Sequence, residues 1–203
     1  MIITIGRQYG SGGRELGEKL AKRLGYDFYD ENLVDMAAKK SNMSQEILKE
    51  VDERATRSLL YSIVTGADIR GFHSPIVYEM PINDKLFLAQ AEIIKDLAKH
   101  GNCIIVGRCA DYVLQDMHLN CVNLFVYAPL EDRIQRIMRL YGLSREKAKD
   151  QIVKTEKRRR TYYNYYTNNE WNRMENYNLC IDTGKIGVDG AVDVVCAYLE
   201  KNQ

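Results

Sequence analysis

Four glycines and a serine precede Arg14 within nine residues near the start of the chain: Gly6-Arg7-Gln8-Tyr9-Gly10-Ser11-Gly12-Gly13-Arg14. Side chains cannot obstruct such a loop, so its backbone N–H groups can converge on one point. Before it, Ile2, Ile3 and Ile5 are apolar and β-branched and read as a buried strand. After it, Leu16, Leu20 and Leu24 recur every four residues, as on the buried side of an amphipathic helix. A strand, a glycine loop and a helix N-terminus in that order form an anion site. The free N–H groups point inward, and the helix dipole adds about half a positive charge at the same spot. Ser11 contributes a hydroxyl and Arg14 a full charge. The natural guest is a phosphate chain, held by Gly10, Ser11, Gly12, Gly13, Arg14 and Glu15. The alternative is a tight turn without a ligand, which does not need this much glycine.

The common phosphate loop reads G-x-x-x-x-G-K-[ST], with the hydroxyl on a magnesium ion. Aligned on Gly13, Arg14 stands where lysine is expected and Glu15 where the hydroxyl is expected. An arginine can do the lysine's work through a planar fork rather than a point charge. Glu15 cannot copy a hydroxyl. The dinucleotide pattern G-x-G-x-x-G fits less well, because Gly10-Ser11-Gly12-Gly13-Arg14-Glu15 lacks its last glycine.

Other cations could meet the same anion. The apolar run Cys103-Ile104-Ile105-Val106 predicts a central parallel strand that ends in Gly107-Arg108. Ligands of open α/β sheets bind beyond the strands' carboxyl ends, which places Arg108 near the glycine loop and Asp111 one turn further on. Arg133, Arg136 and Arg139 repeat every three residues along another helix and could face solvent or phosphate. Ser144 opens a long polar helix carrying Lys154-Thr155-Glu156-Lys157-Arg158-Arg159-Arg160, followed by Tyr162, Tyr163, Tyr165 and Tyr166. Such a segment suits an arm that closes over something anionic. Arg70 and His73 lie in a stretch broken by Gly66, Gly71, Pro75 and Pro81 and read as ordinary loop residues. Asp182-Thr183-Gly184 matches an aspartic-protease triplet, but a single copy at a strand's end reads as a strand-to-turn exit.

These residues need a scaffold, and the rest of the sequence describes one. Strands are expected at Tyr26–Asp30 (short, at an edge), 103–106, 121–127 and 178–183. Helices are expected over about 31–40, 44–59, 84–99, 130–141, from 144 onward and 188–201. In the helix over 84–99, Asp84 is the cap, and Leu88, Ala91, Ile94 and Leu97 or Ala98 face inward. Strands alternating with helices predict an α/β fold: a three-layer sandwich around a central parallel sheet, with a helical lid. The 203 residues suit one domain with an acceptor-binding excursion at about 30–83 and the lid at about 144–175. A net charge of +1 offers no global attraction to nucleic acid or membranes. Met1 leads directly into the first strand, so no signal peptide is expected and the reading is cytoplasmic. Five cysteines without a C-x-x-C pair read as reduced core thiols. The three histidines have no metal-ligand spacing.

An N-terminal phosphate loop, a strand-end arginine and a late arginine-rich arm, in that order, resemble the nucleoside monophosphate kinases, and most closely the cytidylate kinase-like family. The matching stretches are Gly6 to Glu15, Val106-Gly107-Arg108-Cys109-Ala110-Asp111, the arm through Tyr166-Thr167, and Tyr177 to Thr183. The resemblance implies a P-loop fold, ATP with Mg²⁺ as donor and a pyrimidine monophosphate as acceptor. It implies that Arg14, Arg158 and Arg159 are catalytic, and that Asp30, Arg108, Asp111 and Glu156 bind the acceptor. It leaves the Mg²⁺ to phosphates and water, with Ser11 or Asp111 as the only side-chain candidates. Where the family's later strand ends Asp-Gly-Arg, this chain has Val106-Gly107-Arg108. A P-loop kinase for another acceptor, or a nucleotide-binding protein without catalysis, remain alternatives.

Overall fold

The computed structural model describes residues 1–30, 32, 33, 35, 36 and 82–201. Most of the helix expected over 31–40, the whole of that over 44–59, and Arg70 and His73 lie outside the described residues.

β1 (Ile2–Arg7) leads through the glycine loop into α1 (Gly13–Leu24). β2 (Asp27–Tyr29) follows, then α2 (Ile82–His100), β3 (Cys103–Val106) and the short α3 (Ala110–Val113). β4 (Cys121–Tyr127), α4 (Leu130–Tyr141), α5 (Arg145–Thr167), β5 (Leu179–Asp182) and α6 (Thr183–Glu200) complete the order. The five strands form one parallel sheet in the order β2-β3-β1-β4-β5. Each strand therefore ends at the same edge, and β1, the strand that feeds the glycine loop, lies in the middle.

Alternation along the strands divides the core between the two faces. Ile3, Ile5, Ile104, Val106, Leu124 and Val126 pack under α1 and α6, against Leu16, Leu20, Val192 and Val195. Ile2, Cys103 and Ile105 pack on the other face, against Leu86, Ile93 and Ile94 of α2 and Val113 of α3. This is the expected sandwich: strands buried on both faces read as apolar runs. α2 turns Ile94 and Ala98 inward as expected, with Ala91 packed beside them, and departs from expectation at Leu88. The helix starts at Ile82, Leu88 is exposed, and Leu86, Gln90, Ile93 and Ile94 turn inward. Two side chains from α5 bond its buried polar groups: Tyr166 donates to Asp84 at 2.8 Å and Tyr162 to Gln90 at 3.3 Å.

Gly6 also departs from expectation, because it is a strand residue rather than a loop residue. A Cβ there would come within 2.9 Å of Phe125 and 3.0 Å of Tyr177. The last helix is expected from about 188, and the element begins earlier, at Thr183. Gly187 interrupts α6 with φ 69°, so the regular helix begins at Val188. Among the described residues no helix is long and apolar enough to cross a membrane. All five cysteines are free thiols.

Candidate active site

Beyond the strand ends lies a cleft of about 650 Å³. Its floor is the glycine loop, with Gly10 and Gly12 in the left-handed region at φ 83° and 84°. Gly12 is the N-cap of α1, so the N–H groups of Gly13, Arg14 and Glu15 open the helix and lack intrahelical acceptors. Neighbouring elements hold the loop from beneath. Gln8 takes the main-chain N–H of Ala128 on its side-chain oxygen at 3.2 Å and donates its own N–H to Val126 at 2.9 Å. The Thr183 hydroxyl lies 2.6 Å from the Ser11 carbonyl and 3.1 Å from that of Tyr127. The Asp182-Thr183-Gly184 triplet is thus a strand exit. Asp182 caps α6 through the Gly184 N–H at 2.9 Å, and Thr183 fastens the loop.

Five arginines surround the loop: Arg7, Arg14, Arg108, Arg136 and Arg159. Four carboxylates face them: Glu15, Glu18, Asp30 and Asp35. Asp30, at the end of β2, lies 3.7 Å from Arg7 and 3.5 Å from Arg14. Glu15 pairs with Arg136 and, at 3.0 Å, with Lys19. Burial alone would raise the Glu15 carboxyl. The hydrogen bonds from Lys19 and Arg136 outweigh it and hold the group below the usual carboxylate range. An entering polyanion would compete with these carboxylates for their arginines.

Arg108 reaches the cleft through unusual backbone. Gly107, Arg108 and Cys109 are consecutive left-handed residues at φ 76°, 58° and 54°. For the two residues with a Cβ this costs on the order of 1–3 kcal/mol each, strain of the kind that collects at functional sites. The surrounding packing sustains it: Arg108 and Cys109 are both buried.

Of the sequence-predicted residues, the structure gathers Gly10, Gly12, Gly13, Arg14, Glu15, Asp30, Arg108 and Arg159 around one cavity. It places the others elsewhere. Ser11 is buried, and its hydroxyl lies 2.9 Å from the Gln8 carbonyl and 3.1 Å from that of Val126, so it faces away from the cleft. Arg158 is exposed and is not a lining residue, because one step along α5 turns it away from Arg159. Glu156 receives Arg133 at 2.6 Å and lines no part of the cleft. Asp111 accepts the Tyr163 hydroxyl at 2.6 Å and lies in a smaller pocket behind Arg108. Burial raises its carboxyl against the lowering effect of that hydrogen bond. Ser11 and Asp111 are therefore poor candidates for Mg²⁺, and among the described residues no group of three His, Cys, Asp or Glu side chains is placed to hold a metal ion.

The arm is the long helix that Ser144 is expected to open. α5 is a single helix of 23 residues. Its first half packs Ala148 and Ile152 against Ile134 and Ile137 of α4. Its last turns pack Tyr162 and Tyr163 with Phe125 and Trp171. Arg159, between the two, sits 5.5 Å over the Tyr9 ring and donates to the Arg7 carbonyl at 3.4 Å. Lys154, a weaker candidate, is exposed and pairs with Asp150 at 2.6 Å. Of the three-residue arginine repeat, Arg133 is buried, Arg136 lines the cleft and Arg139 is exposed. Two of the cleft's arginines stand outside the predicted site: Arg7, which the sequence reading does not single out, and Arg136, which it leaves open between solvent and phosphate. The rule that singles out Arg108, a cation at a strand's carboxyl end, applies equally to Arg7. Nothing in an i, i+3 repeat says which member faces inward.

Comparison with known proteins gives this arrangement a family. At the level of fold, a shikimate kinase from Bacteroides thetaiotaomicron superposes with a TM-score of 0.56 at 14% identity, over 98% of both chains. A shikimate kinase from Aquifex aeolicus gives 0.51 at 18%, over 100% of this chain and 98% of its own. An uncharacterized protein from Eubacterium ventriosum gives 0.72 at 25%, over 98% of both. In sequence, the cytidylate kinase of Methanocaldococcus jannaschii is 25% identical over 201 residues, 98% of each chain. That of Thermococcus sibiricus is 27% identical over 201 residues, 98% of this chain and 88% of its own. The family model described as cytidylate kinase-like matches residues 2–185, nearly the whole chain. Sheet order, glycine loop and arginine cleft agree with that match, and the chain belongs to the cytidylate kinase-like family, phosphotransferases on a P-loop kinase fold.

Proposed function

We propose that this protein transfers the γ-phosphoryl group of ATP to CMP or dCMP. The observation that carries the reading is the convergence of five arginines on a glycine loop at the carboxyl edge of the sheet. The naming of the similar proteins as cytidylate kinases supports it. An oxygen of the acceptor phosphate attacks the γ-phosphorus, the bond to the β–γ bridging oxygen breaks, and ADP leaves with that electron pair. The products are ADP and the nucleoside diphosphate. Such a transfer needs placement and charge more than covalent chemistry. The amides of Gly12, Gly13 and Arg14, with the Arg14 side chain, hold the β- and γ-phosphates. Arg108 holds the acceptor phosphate, with Asp30 beside it. Arg159 answers the charge that develops on the transferred group. The single-domain organisation, with an acceptor-binding region at about 30–83, belongs to the same reading.

A second reading keeps the scaffold and changes the acceptor. Val106 stands where the family's strand-end acid is expected, and its side chain is fully buried in the sheet. It cannot touch a nucleotide base. Measuring ADP production from ATP with each nucleoside monophosphate in turn separates the two. Turnover with CMP or dCMP well above the rest is expected. Turnover confined to another acceptor moves the assignment to the second reading, and none with any acceptor removes both.

Arg108→Ala is expected to raise the acceptor KM roughly 10- to 100-fold, the loss of one hydrogen bond between charged groups. The KM for ATP should stay within about threefold. Steady-state kinetics with each substrate varied in turn makes the check, and equal increases in both constants would remove Arg108 from the acceptor site.

A further inference from the structure

We propose that Arg7, the last residue of β1, is the cation that meets the transferred phosphoryl group from beneath the glycine loop. The proposal rests on the phosphotransfer reading above and assigns a catalytic contact to a residue outside the loop. Two glycines make room for this side chain. A Cβ on Gly13 would lie 2.5 Å from Arg7 Cβ and 3.1 Å from Arg7 Cγ. A Cβ on Gly107 would collide with Arg7 Nη1, and Gly107 also has φ 76°. The stem of Arg7 thus passes the start of α1, and its head lies against the turn that carries Arg108. It spans the distance from the donor loop to the acceptor strand.

A phosphate loop commonly places a lysine directly after its last glycine. Here that place is Arg14, but Arg7 fills the volume beside Gly13, the first residue of α1. Arg14 is a different kind of cation. Its side chain is 54% exposed and bonds Glu18 at 3.1 Å, one turn along its own helix. The Arg7 side chain is only 13% exposed, with Asp30 3.7 Å away. A charge withdrawn from water acts more strongly on a developing oxyanion than one at the surface. Its backbone is fixed as well: Arg7 pairs in register with Val126 of β4, and its carbonyl accepts from Arg159. Arg7 and Arg159 thus line the same cleft from two elements.

The test compares wild type with Arg7→Met, which keeps the stem and loses the charge, and with Arg7→Lys, which keeps a cation. Calorimetry measures the affinity for ADP alone and for ADP with aluminium fluoride, a mimic of the transferred group that needs no acceptor. Wild type is expected to bind the fluoride complex at least tenfold more tightly than ADP. Arg7→Met should lose most of that gain with its ADP affinity unchanged, and Arg7→Lys should recover part of it. No gain in wild type, an undiminished gain in Arg7→Met, or equal losses for both ligands overturns the proposal. The acceptor panel on wild type judges the phosphotransfer reading separately. In that assay Arg7→Met should lower kcat about 10²- to 10³-fold, the scale for removing one preorganised donor.

Discussion

Arg159→Ala is expected to lower kcat for phosphoryl transfer at least about 10³-fold, whereas Arg158→Ala leaves it near wild type. A guanidinium delivered to the transferred group contributes on the order of 10³–10⁵ in rate in this chemistry. Only one of the two neighbours is in position. Arg159 lies over the Tyr9 ring at 5.5 Å, bonds the Arg7 carbonyl and lines the cleft. Arg158 is exposed. The ring and the carbonyl hold Arg159 in place before substrate arrives, so little ordering cost remains when charge develops. Burying Tyr9 beside Tyr141 pushes its hydroxyl up to about 12, so the phenol stays neutral across the working pH range. The loss should appear in kcat more than in either KM, because the interaction strengthens in the transition state. Single-turnover rates for both variants check this. Equal losses at both positions, or none at Arg159, would falsify the assignment.

Glu156→Gln is expected to destabilise the protein by about 3–5 kcal/mol, the usual cost of leaving one member of a buried ion pair without its partner. The pair is well enclosed: the Arg133 side chain is 7% exposed and that of Glu156 17%. Arg133 also donates to the Ala128 carbonyl at 2.9 Å and the Tyr9 carbonyl at 3.4 Å. One guanidinium thus joins α4, α5 and the glycine loop. Without the carboxylate it remains charged and desolvated, and the melting temperature should drop by roughly 10 °C. Pairing Glu156→Gln with Arg133→Met should restore part of the loss, since replacing both charges costs less than stranding one. If Glu156 bound the acceptor instead, the acceptor KM would rise with the melting temperature unchanged. Denaturation curves of the single and double variants, read beside acceptor kinetics, separate the two roles.

Mutual confinement explains why two such similar arginine runs behave differently. Along α4 the i, i+3 spacing carries Arg133 inward, Arg136 over the loop and Arg139 into solvent. Along α5, adjacent positions divide cleft from solvent. A helix shows its spacing in sequence, but its rotation about its own axis is set by its packing partners. For α5 those are Ile134 and Ile137 at one end and Phe125 and Trp171 at the other, all outside the helix itself.

By itself the sequence determined the layered α/β scaffold, the loop between β1 and α1, and the family. These rest on local patterns: continuous apolar runs for strands buried on both faces, a four-residue stripe for α1, glycines where side chains would obstruct. It determined Arg108 too, because a parallel sheet brings every strand end to one edge. Only the tertiary structure decided which charges meet. It turned the Ser11 hydroxyl into the protein, bound Glu156 to Arg133, left Arg158 in water and threaded Arg7 between Gly13 and Gly107. The physical reason is that a side chain's partner depends on helix phase and on backbone approach between separate segments of the chain. Neither is written in the spacing of one segment.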